Sequence, residues 1–151
     1  MGCDIHSYCE KLTPNGWICV DISPFSDRIY GVFGFLADIR NYSDVPPISL
    51  PRGLPNDMSE LIRNEYGDGI DWHSSSWLTV QELTDFDYDA PMENRRVTRM
   101  LSDGWLSGGC TCEPGEGQQT TFREFLGERF FNDLRELQDL HIDRIIFWFD
   151  N

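Results

Sequence analysis

Arg144-Ile145-Ile146-Phe147-Trp148-Phe149 is a run of apolar side chains behind a single arginine, near the end of a chain of 151 residues. A strand with one wet face alternates apolar and polar residues, so a run without alternation predicts a strand buried on both faces. Such a strand needs partners on either side and cover above and below. It therefore takes a central place in a sheet, with helices as the cover.

Asp4 to Leu12 and Trp17 to Ile22 are rich in β-branched, aromatic and cysteine residues, and Thr13-Pro14-Asn15-Gly16 lies between them; this is the pattern of a hairpin. In its second strand Ile18, Val20 and Ile22 share one face and Trp17, Cys19 and Asp21 the other, and one of these faces is expected to pack inward. Apolar residues at Ile29, Val32, Phe33, Leu36 and Ile39 have helical spacing, interrupted by Gly31 and Gly34. Three further helix starts carry capping boxes, Asp57/Glu60, Thr79/Glu82 and Thr121/Glu124, in which each partner satisfies a backbone N–H the helix leaves free. The first should end near Gly67 and the second near Phe86. The third is the longest, with Phe122, Phe125, Leu126, Phe130, Leu134, Leu137 and Leu140 forming an apolar stripe to be buried on the sheet. Residues 41–56 hold four prolines and read as a long stiff loop. Residues 103–119 are glycine-rich and read as a flap, with one candidate strand just before it at Arg95 to Met100. The expected fold is α+β in a single domain over residues 1–151: a mixed or mainly antiparallel sheet with an N-terminal hairpin and a central C-terminal strand, covered by helices.

Composition narrows the partners. With 26 acidic against 12 basic residues the formal charge is −14, which repels phosphate backbones and argues against polymeric DNA or RNA. No apolar run approaches the roughly 20 residues needed to span a bilayer, and the N-terminus lacks a basic start followed by an apolar stretch. A cytoplasmic protein without membrane contact is expected. Five cysteines, with Cys110 and Cys112 as a lone C-x-C, fit reduced thiols better than a disulfide framework or a zinc site.

Three stretches could carry chemistry. In Asp4-Ile5-His6 a period of two points carboxylate and imidazole to one face, where they could share a metal or an acid–base role, or simply continue an exposed strand face through Tyr8 and Glu10. In Asp71-Trp72-His73-Ser74-Ser75-Ser76-Trp77, indoles, hydroxyls and an imidazole lead into the Thr79 helix start, whose free N–H groups suit phosphate. The same stretch equally fits a strand with core tryptophans and a simple cap. Arg40-Asn41 and Arg52 flank or occupy the proline-rich loop, where an arginine held by its neighbours is preorganised for phosphate; pairing with nearby acid is the competing role. The signatures of P-loops, zinc proteases, serine hydrolases and dinucleotide-binding folds are absent from the sequence.

The blocks Met1-Gly2-Cys3-Asp4-Ile5-His6, Arg40-Asn41-Tyr42, Pro51-Arg52-Gly53-Leu54-Pro55, His73-Ser74, Ser76-Trp77-Leu78-Thr79 and Phe147-Trp148-Phe149-Asp150-Asn151 resemble those of small proteins encoded by tailed bacteriophages. The resemblance implies a phage setting, in which small acidic proteins inhibit bacterial immune signalling by sequestering or cleaving nucleotide messengers. The leading expectation is a binding protein, without a cofactor, that sequesters a small anionic nucleotide such as a cyclic dinucleotide or an ADP-ribose derivative. Arg40 and Arg52 would take phosphate, with Asn41 also at the ligand; His73, Ser74, Ser76 and Thr79 would take phosphate or ribose. A tryptophan, Trp72 or Trp77, or a tyrosine would stack the base, and Asp4 and His6 would read a polar edge. A symmetric homo-oligomer is one way for so small a chain to complete a pocket. The alternative is a phosphodiesterase in which Asp4, His6 and His73 hold a divalent metal or act as acid and base. A second alternative is an acidic protein–protein inhibitor.

Overall fold

The structure, a computed structural model, describes residues 2–100, 102–104 and 106–151. Met1, at the head of the first block above, and Trp105, near the start of the predicted flap, lie outside them. In chain order the elements are β1 (Ile5–Thr13), β2 (Gly16–Val20), α1 (Tyr30–Ala37), α2 (Glu60–Tyr66), β3 (His73–Thr79), α3 (Val80–Asp85), β4 (Pro91–Asn94), β5 (Arg96–Met100), β6 (Leu106–Thr111), β7 (Gln118–Thr121), α4 (Phe122–Asp139) and β8 (Arg144–Phe149). They divide into two compact units: Met1–Arg28, Pro51–Phe86 and Glu128–Asn151 form the first, and Ile29–Leu50 and Asp87–Gly127 the second.

The first unit is built on a four-stranded sheet of order β2-β1-β8-β3, in which β8 is antiparallel to both neighbours and β1 forms the N-terminal hairpin with β2. Every residue of β8 is buried, as its unbroken apolar run requires. The register Ile5↔Phe149, Cys9↔Ile145, Ser76↔Phe147 and Leu78↔Ile145 puts these side chains on one face, and all of them are buried. The C-terminal part of α4 supplies Phe130, Leu134 and Leu137, also buried. Burial drives the Cys9 thiol well above its usual range, with Cys19 and the α4 carboxylates Glu136 and Asp133 adding to the effect. On the opposite face Ile146 and Trp148 pack against Met58 and Ile62, with Tyr8, Cys19, Tyr66, Trp72 and Trp77 around them. Each large side chain so buried contributes roughly 1.5–3 kcal/mol. In the edge strand β2 the inward face is that of Cys19, while Ile18 stays 48% exposed.

The helix starts differ in how far they follow their capping boxes. The box at Thr79/Glu82 is complete. At α4, Thr121 Oγ1 accepts from the Glu124 N–H, but the Glu124 carboxylate turns to Thr120 Oγ1. At α2 the expected box is absent: Ser59 is the N-cap, without a side-chain bond, because Asp57 is drawn to Trp17 and Arg144. The helix does end at Gly67, and α4 is broken at Gly127, whose φ of 79° and ψ of 174° are open in practice only to glycine.

The second unit holds two short antiparallel ladders, β4 with β7 and β5 with β6, and β6 and the start of β7 fall within the glycine-rich stretch. Only β5 coincides with a strand expected from sequence. Its aromatic core includes Phe35 against Tyr88 and Phe122. All five cysteines are free thiols.

Candidate ligand-binding site

The side chains singled out in the sequence fall at three places. Asp4 and His6 lie at one end of the first unit's sheet, where β1 begins and β8 ends. The His6 Nε2 is 2.9 Å from Asp150 Oδ2, and Asp150 Oδ1 accepts the Asp4 backbone N–H at 3.0 Å. The Asp4 carboxylate takes both Nε and Nη2 of Arg28, at 2.7 and 2.6 Å, and this pair holds its pKa below the usual carboxylate range. Asp150 is lowered first by its bond to His6. The imidazole lies 4.7 Å from the Trp72 ring and 6.5 Å from Trp148. The Asp4 carboxylate is thus held by Arg28, and the carboxylate that orients the His6 imidazole is Asp150.

His73 does not join them. It pairs in register with Phe149, and its ring stacks on Phe149 at 6.0 Å, whereas His6 pairs with Trp148. Phe149 and Trp148 are successive residues of one strand, so the two imidazoles project from opposite faces of the sheet. The triad Asp4, His6 and His73 is therefore not assembled at one point. Among the described residues no three His, Cys, Asp or Glu side chains are grouped to hold a metal ion. Ser74 sits in a bulge of β3 with φ of 54° and its hydroxyl 3.0 Å from His73 Nδ1, while His73 Nε2 is buried without a partner.

The other end of β3 lies six residues on, roughly 20 Å away at strand spacing. There the groups proposed for phosphate are engaged with one another. Arg52 binds both carboxylate oxygens of Glu82, at 3.0 and 2.5 Å, and lies 4.9 Å over the Trp77 ring. Its backbone N–H donates to the fully buried Ser76 hydroxyl at 3.0 Å. Glu82 also accepts from the Thr79 N–H and hydroxyl, and Thr79 Oγ1 accepts from the Glu82 N–H. The Arg52 ion pair, ahead of the Thr79 bonds, holds the Glu82 pKa down at about 2. Arg52, Ser76, Trp77, Thr79 and Glu82 thus form a clasp closing the loop of residues 51–55 onto β3, and at the start of α3 the N–H groups of Thr79, Val80 and Glu82 are already engaged. In the second unit Asn41 is likewise committed: its amide bonds Asp38 and Val45 O, and its Oδ1 accepts the Val45 N–H. Arg40 takes a left-handed φ of 48° and reaches Tyr42 Oη at 3.4 Å.

Beside the clasp is the cluster that the sequence did not announce. Glu10 is fully buried and Arg144 is 4% exposed; Arg144 Nε donates to Glu10 Oε1 at 2.7 Å, and the Ser59 N–H to Glu10 Oε2 at 2.6 Å. Arg144 Nη1 donates to Asp57 Oδ1 at 3.0 Å, and its guanidinium lies 3.6 Å over the Trp17 ring. The Trp17 indole N–H, the larger influence, and then Arg144 hold Asp57 below the usual carboxylate range. Arg144 Nη2 and Ser59 Oγ are buried without partners. A cavity of about 500 Å³ opens against this cluster, lined by Leu54, Pro55, Asn56, Asp57, Trp77 and Arg144. Other cavities lie beside Tyr8 and Cys19 in the first unit and between Arg96 and Phe125 in the second. Arg144, whose Nη2 is buried without a partner, is among the residues lining the cavity at Trp77. The sequence signal for this site was the arginine at the head of an apolar run, which needs an acid partner when buried. The residues on β1 and before α2 that supply the acid are visible as partners only in the fold.

No protein-family model, curated protein or solved structure matches the chain.

Proposed function

We propose that the chain binds and sequesters a small nucleotide-derived ligand in the cavity between Trp77 and Arg144. The observation that carries this reading is the cavity itself, about 500 Å³ and large enough for a small molecule, with Leu54, Pro55 and Trp77 on its apolar side and Asp57 and Arg144 on its polar side. Leu54, Pro55 and the Trp77 indole supply an apolar wall for a planar group. In the phage setting that the sequence blocks imply, capture alone would withdraw a messenger from its receptor, and no cofactor is required. The ligand's place moves from the Thr79 helix start, where the polar groups are engaged, to the neighbouring cavity.

A hydrolytic reading has one observation of its own in favour: a carboxylate-held imidazole, His6 with Asp150, both about one-third exposed. One experiment separates the two. Cyclic dinucleotides and ADP-ribose derivatives are mixed with the protein and magnesium or manganese, and free ligand is quantified by mass spectrometry before and after heat denaturation. Sequestration predicts a ligand that disappears and returns intact on heating. Turnover to products that His6→Ala abolishes would establish hydrolysis instead. Ligands that all stay free and intact would end the nucleotide reading.

A further inference from the structure

The sheet of the first unit ends in two strands, β2 and β3, and only one of them is protected. An open edge presents unpaired N–H and C=O groups to any passing strand, and proteins blunt it with charge, proline, a bulge or a covering loop. The β3 edge is bulged between His73 and Ser76 and tied to the proline-rich loop, whose Gly53 N–H donates to Ser75 O at 2.9 Å. Strand β2, Gly16-Trp17-Ile18-Cys19-Val20, has no charge, no proline and no bulge in its pairing with β1. The Asp150 N–H donates to Asp4 O, so alternate residues from Asp4 to Glu10 bond β8, and Cys9 and Lys11 bond Val20 and Ile18. The backbone groups of Trp17 and Cys19 therefore point outward from the edge, and among the described residues nothing accepts from their N–H groups. The Trp17 indole, bonded to Asp57 and stacked on Arg144, holds the strand in place, so an added strand meets a preformed edge.

Beside this edge lies the cavity of about 500 Å³ at Tyr8 and Cys19, with Leu61 on its apolar side and Asp21 and Glu65 as its charged residues. Among the described residues neither carboxylate forms an ion pair. Burial first, and then Glu10, Asp21 and Glu65, hold the Cys19 thiol above its usual range, so the negative field reaches the edge strand itself. A second copy would bring the same carboxylates with it, between chains that each carry −14. The complement is a basic strand. We propose that the open edge of β2 docks an extended, lysine- or arginine-bearing segment of a partner protein as a fifth strand of the sheet. Its main chain bonds Trp17 and Cys19, an apolar side chain enters the cavity beside Leu61, and a basic one meets Asp21 and Glu65. This site shares no lining residue with the cavity at Trp77 and does not depend on a ligand there.

The test titrates a labelled peptide, acetyl-Lys-Val-Lys-Val-Lys-Val-amide, into the full chain by fluorescence anisotropy, with the glutamate-for-lysine peptide as its counterpart. The lysine peptide should bind and the glutamate peptide should not. N-methylation at alternate residues should abolish binding in one phase and change it less than about threefold in the other, because only every second N–H of an added strand faces the edge. The bound peptide should also slow amide hydrogen exchange at Trp17 and Cys19. Asp21→Lys combined with Glu65→Lys, both at exposed positions, should weaken the lysine peptide about tenfold while the thermal midpoint stays within a few degrees. Failure of the lysine peptide to bind, equal binding by the charge-reversed chain, or tolerance of both methylation phases would each overturn the proposal. So would a chain that sediments as a dimer with the Trp17 and Cys19 amides already protected, since the second copy would then be the occupant. None of these outcomes bears on nucleotide capture at Trp77.

Discussion

Glu82 holds the Arg52 guanidinium, the Thr79 N–H and the Thr79 hydroxyl at once, and this explains why its pKa sits at about 2. A carboxylate whose folded pKa is depressed contributes stability that is present above its unfolded value, near 4.5, and lost as pH falls toward the folded one. The side chain is 38% exposed, so solvent screening reduces the contribution to about 1 kcal/mol. Urea denaturation should therefore show the wild type losing this increment between about pH 4.5 and 2. Glu82→Gln should lack it at neutral pH and show less change over that interval. The Glu10–Arg144 pair belongs to a different regime, since both side chains are at most 5% exposed. Glu10→Gln leaves the guanidinium buried with Asp57 as its remaining charged partner, and should cost roughly 3–5 kcal/mol by chemical denaturation. Replacing both residues by apolar ones of similar volume should recover much of that loss, because a buried charge left with only the largely exposed Asp57 as partner, and not the missing bond, is the larger cost.

Among the elements, α4 depends on one residue for its path. At Gly127 the backbone takes φ of 79° and ψ of 174°, and a Cβ there would meet open space, so strain and not crowding sets the penalty. Gly127→Ala should destabilise by roughly 1–3 kcal/mol, read as a drop in the thermal midpoint. How legible each element was follows from the range of its interactions. The unbroken run of β8, the hairpin of β1 and β2, the spacing of α1 and the reciprocal cap of α3 are written within a few residues of themselves, and each stands where the sequence placed it. Asp57 looked like a cap for the same local reason, yet Trp17 and Arg144 hold it across the fold. Strands β4 and β7 are four residues each, too short to display a period. The site was less legible than the fold. Glu10 was placed on an exposed strand face, and its partner Arg144 lies 134 residues away. Arg52 and Thr79 both bond Glu82, a meeting that local sequence does not reveal.

For the molecule as a whole, 26 acidic residues against 12 basic ones load the native state with self-repulsion that the expanded chain relieves. Salt screens exposed charges over about 10 Å at 0.1 M, so the thermal midpoint should rise by several degrees between about 10 and 300 mM sodium chloride, as differential scanning fluorimetry would record. A flat or falling midpoint would mean that the exposed pairs, such as Arg123 with Asp89 and Arg129 with Asp27, outweigh the repulsion. The strand order has a consequence in time. Between β1 and β3 stands β8, residues 144–149, so neither flanking strand has its central neighbour until residue 149 has been synthesised. At roughly 5–20 residues per second, the nascent hairpin waits on the order of ten seconds with one edge of β1 unpaired. That interval is the molecule's window of greatest exposure to aggregation and to chaperones on the ribosome.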